Sequence, residues 1–379
     1  MLIESVRWQA YRLPMRSQFT TAHEAINWRT GAIVEILTSQ GVSGFGEVAP
    51  LPSFGVGTMK EAEHVLKTSS PSLVGLTLPA ALIQLQSQAD QTNLGNREEQ
   101  KMYSPPAFCG LEIALLDALG KQEQRSLSSL LSPGNTPPRK QVAINTVVGA
   151  TRPEDAVQAA LKAIEAGFTC IKLKVGVMNS NQAEIERIKA VRSAIGPSIQ
   201  LRLDANEGWE PEQANTILTA CEPLTIQYIE QPIKAGLLDE MRNLRQRISI
   251  PIACDEGLLG LTSARQILQS QAADLLIIKP QFAGGLLAAR QIITEATEQG
   301  VSCVITSAIE SGIGLAADLH LAAASPEVTL ACGLGTLPLL ANDLLVEDLA
   351  SQAGYLSVPI GPGLGVNLNH EALAIYRAP

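Results

Sequence analysis

Five successive strand-like runs in this chain end in charge: Lys172-Leu173-Lys174, Arg202-Leu203-Asp204-Ala205-Asn206, Glu230-Gln231-Pro232, Asp255-Glu256 and Lys279-Pro280. A sixth leads into Thr306-Ser307-Ala308-Ile309-Glu310-Ser311. One charge at a strand end is an ordinary solvated terminus. A rim that reads cation, anion, anion, anion, cation is not. Three carboxylates facing one mouth would repel strongly at low dielectric, and a divalent cation removes that cost. Oxygen ligands from Asp204, Glu230 and Asp255, completed by water and substrate, suit octahedral Mg²⁺, with Mn²⁺ as a substitute. No His or Cys stands at these strand ends, which argues against zinc.

Lys174 and Lys279 then flank the metal from opposite sides. A substrate carboxylate on the cation would lie between them, and the cation would stabilise the charge formed when the α-proton leaves. Lys174 is the expected base. Lys172, two residues before it, shares its face of the strand and would repel a proton on it. Arg202, Asn206 and Glu256 are expected to support these groups: Arg202 and Asn206 by orienting ligands or meeting the substrate carboxylate, Glu256 by pairing with Lys279. Ser307 and Glu310 follow the seventh strand, where backbone N–H groups can hold an anion, and are expected at the substrate.

Such a rim needs a barrel to hold it. Strand candidates run Val142–Val148, Cys170–Val175, Ile199–Asp204, Thr225–Glu230, Ile252–Asp255, Leu275–Lys279, Val301–Thr306 and Thr329–Cys332. Helical patterns lie between them, as at Pro153–Ala166, Gln182–Ile195, Pro211–Ala220, Leu261–Gln269 and Ala288–Gln299. A repeat of about 23 to 30 residues is that of a βα unit. The expected fold is α/β, a modified (β/α)7β TIM-type barrel with its site at the C-terminal ends of the strands. A doubly wound sheet would carry a Gly-rich loop after its first strand, and none follows Val148.

Residues 1–135 read as an α+β capping domain. It opens with a strand at Leu2–Leu13 and a hairpin of Ala32–Leu37 and Val42–Glu47, followed by helices at Met59–Lys67, Ala80–Ala89 and Phe108–Gln122. Ser132–Arg139 is the linker. The barrel is expected over 136–339, and a C-terminal segment of about 340–379 is expected to complete the cap.

Composition limits the rest. The 379 residues are 46% hydrophobic and 17% charged, with a net charge of −9. That balance argues against a nucleic-acid surface and suits a large buried core. Cys109, Cys170, Cys221, Cys254, Cys303 and Cys332 form no C-x-x-C pair and read as buried reduced thiols. No run approaches a membrane span or a signal peptide. The expectation is a cytoplasmic enzyme acting on a small carboxylate, a dicarboxylate only by the family resemblance given next, with no membrane insertion and its oligomeric state open.

These residues resemble the enolase superfamily, and within it the muconate-lactonizing subgroup, which pairs K-x-K on the second strand with a lysine on the sixth. The histidine-based subgroup does not fit, since His23, His64, His320 and His370 all lie away from the strand ends. A closer resemblance, over nearly the whole length, is to the o-succinylbenzoate synthases. It is carried by Glu47–Phe54, Leu201–Asn206, Ala253–Leu258, Ile278–Pro280, Val304–Gly314 and Gly333–Thr336. The resemblance implies Mg²⁺-dependent loss of water from 2-succinyl-6-hydroxy-2,4-cyclohexadiene-1-carboxylate, on the route to menaquinone or phylloquinone. It also implies that loops Phe19–His23 and Pro50–Gly55 close over the mouth, with Phe54 reading the succinyl tail. An N-succinylamino-acid racemase or dipeptide epimerase would use both lysines, one on each face. The acidic D-x-D of dipeptide epimerases is absent from Gly333–Leu337. Muconate cycloisomerase is a weaker member of the same set. A Schiff-base lysine would leave the three carboxylates unexplained. A non-catalytic binding barrel would be expected to lose one of the five key residues, and all are present.

Overall fold

The computed structural model describes residues 1–20, 25–94, 104–134 and 136–378, with no statement made for side chains 18–20, 25 and 90–94. Three antiparallel strands come first: β1 (Ile3–Thr20), β2 (Ala25–Thr38) and β3 (Ser43–Val48), in sheet order β1-β2-β3. Helices α1 (Met59–Leu73), α2 (Leu78–Leu94), α3 (Pro105–Glu123) and the short α4 (Leu127–Leu131) follow. Thr58 and Glu61 start α1 with a reciprocal capping box. The α3 helix is apolar nearly all round and is buried along most of its length, which suits a helix enclosed on several sides. Its contact with β3 is close enough that a Cβ on Gly46 would lie 2.0 Å from the Gly110 carbonyl oxygen.

The barrel alternates strand and helix. Its elements are β4 (Gln141–Ala143), β5 (Thr146–Val148), α5 (Pro153–Glu165), β6 (Cys170–Lys174), α6 (Asn181–Ile195), β7 (Gln200–Asp204), α7 (Pro211–Cys221), β8 (Ile226–Glu230), α8 (Leu238–Arg247), β9 (Ile252–Cys254), α9 (Leu261–Ser270), β10 (Leu275–Ile278), α10 (Pro280–Ala283), α11 (Leu286–Glu298), β11 (Ser302–Ile305) and α12 (Gly312–Ala324). A seven-stranded sheet runs β11-β10-β9-β8-β7-β6-β5, with every neighbouring pair parallel.

Two corrections follow. The first expected strand divides: β4 leaves the barrel to pair antiparallel with β12 (Tyr355–Ser357), and only β5 joins the sheet. The expected strand Thr329–Cys332 is reduced to parallel bridges, Ile144 with Cys332 and Thr306 with Gly333. These bridges close the ring at its eighth position, with Cys332 N donating to Ala143 O at 2.7 Å and Gly333 N to Ile305 O at 2.8 Å.

Strand alternation sorts the barrel side chains. Ile171, Leu173, Leu201, Leu203, Ile229 and Ile278 pack in one core with helix residues such as Ile188, Ile217 and Ile292. Tyr228, Ala253, Leu275, Ile277 and Val304 form a separate cluster. Two residues beyond Tyr228, Ala253 and Ile277 stand Glu230, Asp255 and Lys279. The polar rim therefore sits one layer above an apolar plug. The C-terminal segment returns to β1: Ala378 N donates to Ala10 O and Arg12 N to Tyr376 O, near the end of α13 (His370–Ile375).

Candidate active site

Register places the rim residues beside one another. Lys174 pairs with Asp204 and Lys172 with Arg202 across β6 and β7, and Asp204 pairs with Glu230 across β7 and β8. Lys172 Nζ lies 2.8 Å from Glu230 Oε1 and 2.9 Å from Asp204 Oδ2. Lys174 Nζ donates to Asp204 Oδ2 and to Asn206 Oδ1, each at 2.6 Å. Across the mouth, Lys279 Nζ donates to Asp255 Oδ1. It also lies 5.4 Å from the Phe54 ring centroid and 5.2 Å from that of Phe282. The two lysines differ in exposure: the Lys174 side chain is 28% exposed and that of Lys279 is 9%.

Charge crowding is written into the titration of these groups. Burial pushes Glu230 up to about 7, with the like charges of Asp204 and Asp255 adding to it against Lys172. Burial likewise raises Glu256 to about 8, helped by Asp255 and Asp204. Burial alone would raise Asp204, but Lys172 and Lys174 overcome it and hold the carboxyl well below its usual range. Burial opposes the Lys172 ammonium, yet Asp204 and Glu230 outweigh that and raise its pKa well above the ordinary value. Lys172 is therefore a fixed cation between two carboxylates.

Asn206 links the site laterally. Its Nδ2 donates to Glu256 Oε1 at 2.9 Å, its N–H to Asp204 Oδ1 at 3.1 Å, and its φ is +43°. Glu256 thus meets Asn206, while the hydrogen bond of Lys279 goes to Asp255. Its other oxygen, Oε2, is buried without a partner. Arg202 lies one layer down, with its guanidinium bonded to Gln227, Asn145 and the Ala331 carbonyl and stacked 4.8 Å from the Tyr228 ring centroid. It braces the barrel interior beneath the rim.

Ser307 is buried, and its hydroxyl contacts Thr336 Oγ1 at 2.6 Å and accepts from Ile309 N. Glu310 is fully buried rather than open to solvent. Its side chain packs where a Cβ on Gly314 would lie 2.7 Å away. Among the described residues, neither of its carboxylate oxygens has a hydrogen-bond partner, and burial raises it to about 7. Residues 21–23 of the expected Phe19–His23 loop lie outside the described residues; Phe19 and Thr20 belong to β1, paired with Ile26 and Ala25. Phe54 ends a short turn at Pro52–Phe54, its ring 6.0 Å from that of Phe282.

Several important residues were not singled out from the sequence. Gln231, with φ +37°, accepts from Asp255 N at 3.0 Å and donates to Ile233 O, fixing the approach to Asp255. Glu47 joins cap to barrel, accepting from Tyr11 Oη, Ser311 N, Ser311 Oγ and Gly314 N. The weak signals available were the Gln beside a strand-end Glu and an acid inside an otherwise apolar strand.

The donor set fits a hard divalent cation: all the rim acceptors are oxygens, they crowd one another, and the buried Glu256 Oε2 lacks a partner. Asp204, Glu230 and Asp255 each turn an oxygen to a lysine, and among the described residues no group of three or more His, Cys, Asp or Glu is arranged to hold an ion.

Comparison with known proteins places this architecture. The family model described as enolase C-terminal domain-like matches residues 155–372, and one described as the MenC N-terminal domain matches residues 3–117. The chain belongs to the enolase superfamily. N-succinyl-L-Arg/Lys racemase of Bacillus cereus is 28% identical over 376 residues, covering 98% of this chain and 97% of that one. An o-succinylbenzoate synthase of Thermobifida fusca is 36% identical over 223 residues, covering 59% of this chain and 68% of that one. The dipeptide epimerase of Enterococcus faecalis, solved with Mg and L-Leu-L-Tyr, superposes with a TM-score of 0.84 at 27% identity, covering 97% of this chain and 100% of that one. Among the described residues, no helix is long and apolar enough to cross a membrane.

Proposed function

We propose that the protein is an o-succinylbenzoate synthase, removing water from 2-succinyl-6-hydroxy-2,4-cyclohexadiene-1-carboxylate. The observation that carries this reading is the placement of Lys174 and Lys279 on opposite sides of Asp204, Glu230 and Asp255. Mg²⁺, which Asp204, Glu230 and Asp255 would hold, supplies Lewis-acid stabilisation of the charge that develops on the substrate carboxylate. Lys174 Nζ takes the proton α to that carboxylate. Asn206 holds the amine in line, and Lys172 stands behind it as a fixed positive charge. Lys174, now an ammonium, gives its proton to the departing hydroxyl on the same face. Lys279 faces the intermediate as a cation with the rings of Phe54 and Phe282 beside it. Aromatisation favours product, so catalysis reduces to one deprotonation barrier.

Support comes from the match to the MenC N-terminal domain, the Thermobifida fusca relative and the lack of a carboxylate in Gly333–Leu337. A second reading, N-succinylamino-acid racemase or dipeptide epimerase, is favoured by likeness over nearly the full length to the Bacillus cereus racemase. The deciding experiment is an absorbance assay of the diene with Mg²⁺, alongside Lys174→Ala and a chelator control. Rapid loss of diene absorbance, abolished in both controls, supports the synthase. No turnover of the diene, with racemisation of an N-succinylamino acid instead, moves the protein to the second reading.

A further inference from the structure

The barrel turn after β10 faces two ways. Lys279 reaches the mouth. Two residues later Gln281, fully buried, reaches the cap. Its Oε1 accepts from Ala49 N at 3.0 Å and its Nε2 donates to Glu47 O at 2.9 Å. A glutamine amide presents one donor and one acceptor much as a peptide group does, so Gln281 pairs with the exit of β3 as a neighbouring strand would. Phe282, the next residue, lies against Phe54.

Arg29 of β2 secures the same loop from the other side. Its Nη2 donates to Ala49 O at 2.6 Å, its Nη1 to Pro50 O at 2.7 Å and its Nε to Ile309 O at 2.9 Å. Ile309 has a φ of +62°, a costly conformation for a β-branched residue that persists only where its surroundings impose it. The loop carrying Phe54 is thus tied to the barrel at the sixth and seventh strand ends. Loss of the Gln281 amide would leave Ala49 N and Glu47 O without that partner in a buried setting.

We propose that Gln281 is a positioning residue that fixes cap loop 49–54 relative to Lys279, so that Phe54 closes the substrate pocket at a set depth. That depth sets how long an acyl tail beyond the reacting carboxylate the pocket admits. Identifying the tail as succinyl rests on the function proposed above; the clamp itself does not.

The test has two readouts on the full-length protein with Mg²⁺. The first is backbone hydrogen exchange in a peptide spanning 49–55, for wild type, Gln281→Leu and Gln281→Glu. Exchange there is expected to rise about tenfold in Gln281→Leu, the loss of one buried hydrogen bond, with cap helices unchanged. Gln281→Glu keeps the acceptor for Ala49 N and should fall between the two; it serves if the Leu variant fails to fold. The second is exchange of the substrate α-proton in D₂O, for an N-succinylamino acid against its N-acetyl counterpart. Gln281→Leu should raise KM for the succinyl compound about tenfold with kcat nearly kept, and leave the acetyl compound unchanged. Phe54→Ala should likewise raise KM for the succinyl compound, and the double variant should raise it no further. Unchanged exchange in 49–55 overturns the clamp. Equal losses on both compounds, or additive losses in the double variant, overturn the specificity role. If wild type exchanges neither compound, the specificity role falls, the synthase reading stands or falls on the diene assay alone, and loop exchange still decides the clamp.

Discussion

Glu310 should make folding stability fall with rising pH, and Glu310→Gln should remove that fall. The carboxyl is fully buried, facing Glu47 from β3, Arg29 from β2, Asp318 from α12, and Tyr11 and Cys109 from β1 and α3. Burial is the main cause that raises it from 4.5 to about 7, and Glu47 adds to the rise. A carboxyl raised on folding favours the native state while it is protonated. Its contribution is whole below pH 4.5 and is lost as pH climbs through about 7. At about 1.4 kcal/mol per pH unit, the loss is about 3 kcal/mol. The assay is urea denaturation followed by circular dichroism from pH 5 to 8, without divalent ions. Glu112 also sits at about 7 and titrates in both proteins, so it cancels, and the difference reports Glu310 together with its coupling to Glu47 and Asp318. Relative to wild type, Glu310→Gln should gain about 2 to 3 kcal/mol across that range. A difference that does not vary with pH would mean that Glu310 is already charged in the folded protein, and the burial argument would fail.

Mg²⁺ at about a hundred times its dissociation constant should stabilise the wild type by about 2.7 kcal/mol in thermal unfolding. Glu230→Gln, which removes an expected ligand, should abolish most of that gain. Glu47→Gln should destabilise by about 3 kcal/mol by chemical denaturation, because in either orientation its NH₂ faces one of the two backbone donors, Ser311 N or Gly314 N. Lys279→Arg, which keeps a cation, should retain measurable dehydration, whereas Lys174→Arg should lose about 10³-fold or more in kcat. Loss of equal size in both would favour a two-base racemase.

The barrel was readable because the central parallel strands are buried on both faces, so short apolar runs stand out between amphipathic helices. The rim charges were readable because the two-residue period carries an apolar interior position, such as Ile277, to a charged one, Lys279. Helix α12 was not picked out, since a helix buried on all sides shows no amphipathic period. The closing position at Cys332 and Gly333 was overstated as a strand, because it makes only single bridges to Ile144 and Thr306. Glu47, Arg29 and Gln281 gave little local signal. Each acts across more than two hundred residues of sequence, as in the Glu47 to Ser311 bond with a separation of 264.

The two lysines share a residue type but not an environment, and this asymmetry bears on which chemistry the site performs. Racemisation needs proton exchange on both faces of one carbon. Dehydration with loss and return of the proton on one face needs only one mobile base. Lys174 is the more exposed of the pair and bonds to an amide and one carboxylate. Lys279 is nearly enclosed, bonded to Asp255 and with two neighbouring rings on one side of it, one of them contributed by the cap. A lysine so enclosed is better placed to hold charge opposite a forming ring than to trade protons with solvent. The cap therefore does more than cover the mouth. By placing Phe54 against Lys279, it gives the two lysines of one symmetric-looking rim different surroundings. If the protein is the proposed synthase, the loop clamped by Gln281 and Arg29 should matter to that choice of chemistry alongside the metal and lysine rim.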